Sequence, residues 1–395
     1  MATLIRRDYS QYESLRELLD DSIFPERTGV LATRGWTLQE MALSPRQLFY
    51  GKRQIYWRCF NGCQSADGYL PGDDAVMYGS KSYFELSKIL NWEVLQSRAA
   101  RLPHVSFLLY YFYRLVIDYS GRRLSYGSDK LPAISGIAQE LQPLIGGDYL
   151  AGVWSKDFRR GLLWSSQSGM PYQDVPYRSP SWSWAVTDSK ILFPRELARP
   201  FPETDVEIQL LEHHIVPRSK GNVYGELEAA SITLKDHTMR FLRSTQVVGA
   251  FDNHGLVDSI GSCFFDEGTQ EESIMNGGNP LFCAITNDGE KYLRSVVRDN
   301  RIVEGVFSGD EKWVKAYEIS KSISQSFDQS FDAEECLALI VHASEDDKDL
   351  YCLIVRAVHD TQHLCYRRVG ILWIAGNSVN ITWCKSWKTE TLVLV

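Results

Sequence analysis

Residues 34–59 read RGWTLQEMALSPRQLFYGKRQIYWRC, and inside this stretch the apolar spacing changes from helical to strand-like. Thr37 and Glu40 stand at capping-box spacing ahead of Met41, Ala42 and Leu43, so a helix is expected there, with Trp36 and Leu38 turned inward. Ser44-Pro45 ends it after about two turns, because a residue before proline is pushed out of helical geometry. From Gln47 to Cys59 the period falls to two: Leu48 and Tyr50 precede Gly51-Lys52, and Ile55, Trp57 and Cys59 follow. A hairpin is predicted, since glycine tolerates the positive φ of a tight turn.

Upstream, Tyr12, Leu15, Leu18 and Leu19 share one face of a predicted helix that Phe24-Pro25 stops. Downstream, residues 61–74 (NGCQSADGYLPGDD) read as a loop or domain edge. Residues 81–164 read mostly as helix, with apolar faces at Phe84/Leu86/Ile89/Leu90, Phe107/Leu108/Tyr111/Leu115 and Leu131/Ile134/Ile137/Ala138/Leu141. Asp129 is expected to cap the last of these, with Pro132 in its first turn and Gly146-Gly147 as its stop. Trp154, Phe158 and Leu162 fit one further helix.

After Pro180 the pattern turns to β. SWSWAV (181–186), DVEIQLLEHHIV (205–216), VYGELEAASITL (223–234), ECLALIVHA (335–343), LYCLIVRAV (350–358), CYRRVGILWI (365–374) and VNITW (379–383) are short runs rich in Val, Ile, Tyr and Trp. No helical pattern separates them, which predicts an antiparallel β-sandwich or barrel, with polar insertions at 266–280 and 322–335 outside it. The fold class expected is therefore α+β, in three sections: 1–65, a helical middle at 80–170 and a β-rich domain at 176–395.

Composition narrows the function. Of 395 residues 44% are hydrophobic, which suits folded domains rather than a disordered chain. Lys and Arg total 42 against 50 Asp and Glu, and the net charge of -8 argues against a general affinity for a nucleic-acid backbone. The most apolar stretch, 105–113 (VSFLLYYFY), is too short to cross a bilayer and reads as a buried helix. The N-terminal residues lack the apolar core of an export signal, so a cytoplasmic location with reduced cysteines is expected. Cys59 and Cys63 are half of a zinc site with no second pair at ligand spacing, so no metal is expected.

The 34–59 stretch resembles the final block and hairpin of fungal heterokaryon-incompatibility (HET) domain proteins. In that family a pattern near R-[AG]-W-T-L-Q-E-x-x-L-S-P-R precedes an aromatic strand ending in W-x-C, matched here by Arg34, Gly35, Trp36, Thr37, Leu38, Gln39, Glu40, Ser44, Pro45, Arg46, Trp57 and Cys59. Four later blocks are similar to the family in order. They are 119–141 (YSGRRLSYGSDKLPAISGIAQEL) with Asp129 and Lys130, 149–164 (YLAGVWSKDFRRGLLW) with Trp154 and Trp164, 177–185 (YRSPSWSWA) with Pro180, Trp182 and Trp184, and 365–374. The family places two more blocks upstream, whereas 33 residues precede Arg34, about the length of one βαβ unit. The resemblance therefore implies that 1–65 is the C-terminal remnant of a TIR-like HET domain.

Some TIR-like proteins cleave NAD with a glutamate, so the resemblance makes Glu40 the one catalytic candidate; the competing reading confines Glu40 to the capping box. Arg34 and Arg46 suit an acidic partner or surface ion pairs. Trp182 and Trp184, on one face of a predicted strand, suit either a stacked sugar or, as expected here, a core. Tyr366-Arg367-Arg368 is expected to display solvated charge. No phosphate loop, dinucleotide fingerprint, zinc-protease motif or nucleophile elbow occurs, Ser128-Asp129-Lys130 and Asp73-Asp74 form no credible site, and no cofactor is expected. The function expected from the resemblance is non-enzymatic: a protein tied to non-self recognition and programmed cell death, working through a protein partner. The alternatives are a carbohydrate-binding β module using Trp182, Trp373 or Trp383, and a NAD hydrolase completed by another chain.

Overall fold

The computed structural model describes residues 30–50, 55–59, 62–66, 105–166, 177–194, 208–248, 261–265, 279–285, 292–298, 301–302, 333–344, 349–359, 364–375, 385 and 387–395. The helices expected near residues 12–19 and 84–90, the strand at 379–383 and the acidic pair Asp73-Asp74 lie outside these residues. The chain divides into two compact units, Met1–Ile145 and Gly146–Val395, a boundary that falls inside the expected helical section.

In the first unit, helix α1 spans Gly35–Leu43 after the 3-10 turn Val30–Thr33. It ends where expected, at an extended Ser44 whose N–H donates to the Glu40 carbonyl. Its start differs. Arg34 is the extended N-cap residue, and the Thr37 hydroxyl lies 2.7 Å from the carbonyls of both Leu31 and Arg34, so Thr37 and Glu40 sit inside the helix and form no capping box. The register is set instead by the approach of 33–35 to 123: Gly35 N–H donates to the Arg123 carbonyl at 2.8 Å, and Arg123 N–H donates to the Thr33 carbonyl at 2.6 Å. A Cβ on Gly35 would meet Leu124 Cδ2 at 2.4 Å, which explains glycine there.

Helix α2 spans Val105–Ser120 and α3 spans Pro132–Ile145. The α3 face is the one expected, with Leu131, Ile134, Ile137, Ala138 and Leu141 buried, Pro132 as first residue and Gly146 and Gly147 following at φ 69° and 73°. The α2 face is rotated. Leu108, Phe112, Leu115 and Tyr119 are buried, while Phe107 is exposed, because a run as uniformly apolar as 105–113 leaves periodicity nothing to discriminate. Asp129 does not cap α3; it lies in the 3-10 turn Gly127–Lys130.

Strands β1 (Arg46–Tyr50), β2 (Ile55–Cys59) and β3 (Gly62–Ser65) form an antiparallel sheet in that order. The hairpin is as predicted, with its 51–54 connection outside the described residues. The third strand occupies part of the expected loop, pairing Arg58 with Cys63 and Cys59 with Gly62.

The second unit opens with β4 (Tyr149–Leu150) and β5 (Val153–Trp154), joined through Ala151 at φ 47° and Gly152 at φ 97°. A short 3-10 turn, Ser155–Asp157, leads into α4 (Phe158–Leu162), so Trp154 precedes the helix it was expected to share. Then β6 (Ser165–Ser166) pairs with β7 (Ile191–Leu192). Between them Trp184–Val186 is a 3-10 turn rather than a strand: the Ser183 hydroxyl accepts from Ala185 N–H and diverts the backbone.

The remaining strands are β8 (Gln209–Pro217), β9 (Leu227–Val248), β10 (Gly261–Phe265), β11 (Asn279–Ile285), β12 (Tyr292–Arg298), β13 (Arg301–Ile302), β14 (Ala333–Ser344), β15 (Asp349–His359), β16 (Leu364–Ala375) and β17 (Lys388–Leu394). They form one ten-stranded sheet ordered β10-β13-β12-β11-β9-β14-β15-β16-β17, with β8 on β9 and further pairings β9–β17 and β10–β16. The 22-residue β9 runs between β8 and β17 in its first half and between β11 and β14 in its second. The sheet is mixed rather than purely antiparallel, since Tyr366 pairs with Leu394 in parallel. β17 has no counterpart among the predicted strands. Ile232 and Leu234 of β9, Leu339–Val341 of β14, Leu350–Val355 of β15 and Leu392 and Leu394 of β17 are buried, and each such aliphatic side chain contributes about 1.5–3 kcal/mol.

Candidate functional site

The first unit brings two of the matched blocks together. Trp36 Nε1 donates to Asp129 Oδ2 at 3.0 Å, and Gln39 Oε1 accepts from Gly136 N–H at 2.8 Å. Arg122 reaches the Thr37 hydroxyl at 3.3 Å and pairs with Asp118 at 2.8 Å. Lys130 is buried; its Nζ donates to the Ser120 carbonyl at 3.2 Å and lies 5.5 Å from the Tyr119 ring centroid, while the Tyr119 hydroxyl donates to the Lys130 carbonyl. Leu38 is fully buried as expected, but Trp36 remains partly exposed because its indole edge is held at the surface by Asp129. These groups fix α1 against the 119–136 segment. They are bonded to each other and to main chain, which is the chemistry of a joint.

Glu40 does not take part. It is exposed on α1, and among the described residues no hydrogen bond or ion pair holds its carboxylate. Arg34, Pro45 and Arg46 are also exposed, and Ser44 is half-buried. Among the described residues no group of three or more His, Cys, Asp or Glu side chains is placed to hold a metal ion, Cys59 included.

The hairpin presents the other feature of this unit. Antiparallel pairing sets Arg46 opposite Cys59, Leu48 opposite Trp57 and Tyr50 opposite Ile55. With side chains alternating along each strand, these six share one face. Leu48 is 53% exposed, Tyr50 77%, Ile55 40% and Trp57 38%, so the face is a contiguous apolar patch in contact with water. Gln47, on the reverse face, donates to the carbonyls of Met41 and Ser44 at 2.6 and 3.1 Å and ties the hairpin to the end of α1. Arg46 stands at one end of the patch. Period-two spacing identifies this set in the sequence but not which face lies open.

In the second unit the three remaining blocks converge. Trp154, Trp164, Trp182 and Trp184 are all fully buried. Trp184 Nε1 donates to the Gly152 carbonyl at 2.8 Å, and a Cβ on Gly152 would meet that nitrogen at 2.6 Å. The Ser183 hydroxyl donates to the Ala151 carbonyl, and Trp164 Nε1 to the Trp182 carbonyl at 3.0 Å. Buried Pro180 accepts from Ser183 N–H. Arg368, expected in solvent, is buried with its guanidinium 3.6 Å above the Trp164 ring and donating to the Trp164 carbonyl, while its N–H donates to the Ser181 hydroxyl at 3.0 Å. Trp182 therefore offers no exposed ring to a sugar. The Trp373 side chain and Trp383 lie outside what the structure describes.

The chain has no match among family models, curated proteins or solved structures. The HET resemblance rests on the five motif blocks alone.

Three titratable groups of the second unit are displaced, among them the Tyr366 phenol, raised by burial and by Glu390. Burial pushes the Asp157 carboxyl up to about 7 against the pull of Arg160, 3.1 Å away, and of Arg159. Burial also pushes the Tyr149 phenol up, helped by Tyr224. Asp157 and Arg160 join the 3-10 turn to α4, and nothing in their spacing signals that both are buried. Among the described residues no helix is long and apolar enough to cross a membrane.

Proposed function

We propose that this chain is a HET-family protein that works in the cytoplasm by binding another protein, with no catalytic step of its own. Its kinship would place it in fungal non-self recognition and programmed cell death. The observation that carries the reading is the solvent-facing patch of Leu48, Tyr50, Ile55 and Trp57 on a hairpin braced from behind by Gln47. An apolar face of this kind, with Arg46 at its edge, suits a partner strip of aliphatic and aromatic side chains carrying a carboxylate at one end. The motif residues supply support: Trp36, Gln39, Trp164 and Trp184 spend their polar atoms on hydrogen bonds that hold the scaffold.

The test is quantitative affinity capture from a fungal host using the full chain and its Leu48→Asp/Trp57→Asp variant, alongside incubation of both with NAD. The reading expects a defined set of proteins that the variant loses and no nicotinamide release from either. Identical capture by both chains, or nicotinamide release that Glu40→Ala abolishes, would contradict it.

A further inference from the structure

Strand β8 carries a second interaction surface, independent of the hairpin. It pairs with β9 and, among the described residues, with no other strand, so these residues leave its outer edge of main-chain donors and acceptors unpaired. Its side chains are poorly covered on both faces: Gln209 and Leu211 to His214 are exposed, Leu211 at 52%, and Ile215 to Pro217 are half-buried. Soluble proteins usually blunt such an edge with lysine, proline or a bulge. Here 209–216 contains no Lys, Arg or Pro; the protection is a register shift between Leu210 and Glu212 and Pro217 at the far end.

The sequence of this edge is complementary to itself. Two β8 strands laid antiparallel about a two-fold axis at His213 would set Glu212 opposite His214 on both sides of the axis, with Leu211, the extra residue of the register shift, and Ile215 flanking that pair. A carboxylate then faces an imidazole, apolar side chains lie beside each such pair, and no like charges oppose at neutral pH. The pairing is isologous, as closed dimers require. We propose that the edge of β8 binds the β8 edge of a second copy of this chain, continuing the sheet across the two-fold axis. Strand addition on one nine-residue edge buries little surface, so the dimer is weak and depends on concentration.

Light scattering coupled to size exclusion over a wide range of loading concentrations tests this with the full chain. The expected result is a monomer–dimer equilibrium that Leu211→Lys/Ile215→Lys weakens by at least about tenfold without changing the far-ultraviolet circular dichroism. The register is tested separately by oxidative crosslinking with peptide mapping. His213→Cys, at the axis, should form a 213–213 disulfide much faster than Gln209→Cys forms its 209–209 counterpart. Leu48→Asp/Trp57→Asp should leave the dimer intact, which separates this surface from the hairpin. A monomer at every concentration, a dimer unaffected by the paired lysines, or crosslinking no faster at 213 than at 209 would overturn the proposal.

Discussion

Tryptophan is used in opposite ways in the two units. Trp57 lies open on the hairpin of the first, whereas Trp164, Trp182 and Trp184 are fully buried in the second. Alternation in the sequence is equally clean around 48–57 and 181–184; what differs is what comes back to cover it. In the second unit Arg368 and Val395 return from the far end of the chain, Arg368 onto Trp164 and Val395 onto Ser181. Local spacing sorts side chains onto faces, and distant segments decide which faces are dry.

The largest effect that sharpens this contrast is expected from Trp184→Ala. Removing a fully buried indole with a bonded Nε1 should cost about 3–5 kcal/mol, read as a lower urea midpoint for the second unit. Gly152→Ala should follow at about 1–3 kcal/mol, because φ of 97° strains an alanine there and its methyl would press on Trp184. A Trp184→Ala variant as stable as the parent would break the account of this cluster.

Asp157 adds a pH dependence. Its folded carboxyl is raised to about 7 from an ordinary 3.8, so the folded form holds the proton more tightly. Its contribution is therefore most favourable below the ordinary value and declines as pH rises toward 7. Asp157→Asn should gain stability relative to the parent across that window when urea unfolding is repeated at several pH values. A constant difference would contradict the assignment. At the small end, Trp36→Phe loses one exposed bond to Asp129 and should cost only about 0.5–1 kcal/mol. Leu48→Asp should leave thermal unfolding within about 0.5 kcal/mol, since more than half of that residue is in water.

Much of the local structure was legible from composition and spacing. The end of α1 at Ser44-Pro45, the β1–β2 hairpin and the α3 face follow from proline, period two and period 3.6 respectively. The misreadings share a cause. Thr37 and Asp129 each read as a cap, but their partners are Arg34 and Leu31 in one case and Trp36, 93 residues away, in the other. Arg368 reads as solvated because it alternates beside Arg367, yet it is held by Trp164, 204 residues earlier. SWSW reads as a strand, and the Ser183 hydroxyl bends it into a turn. The open hairpin face and the β8 edge were invisible for the converse reason: a sequence does not say what fails to return.

Hydroxyl-radical footprinting of the intact chain, with oxidation quantified residue by residue, tests the central contrast most directly. The account predicts rapid modification of Tyr50 and Trp57 and strong protection of Trp164, Trp182 and Trp184 in the same sample. Protection of Tyr50 and Trp57 to the level of Trp184 would show the hairpin face already covered and would contradict the assignment of that face to a partner.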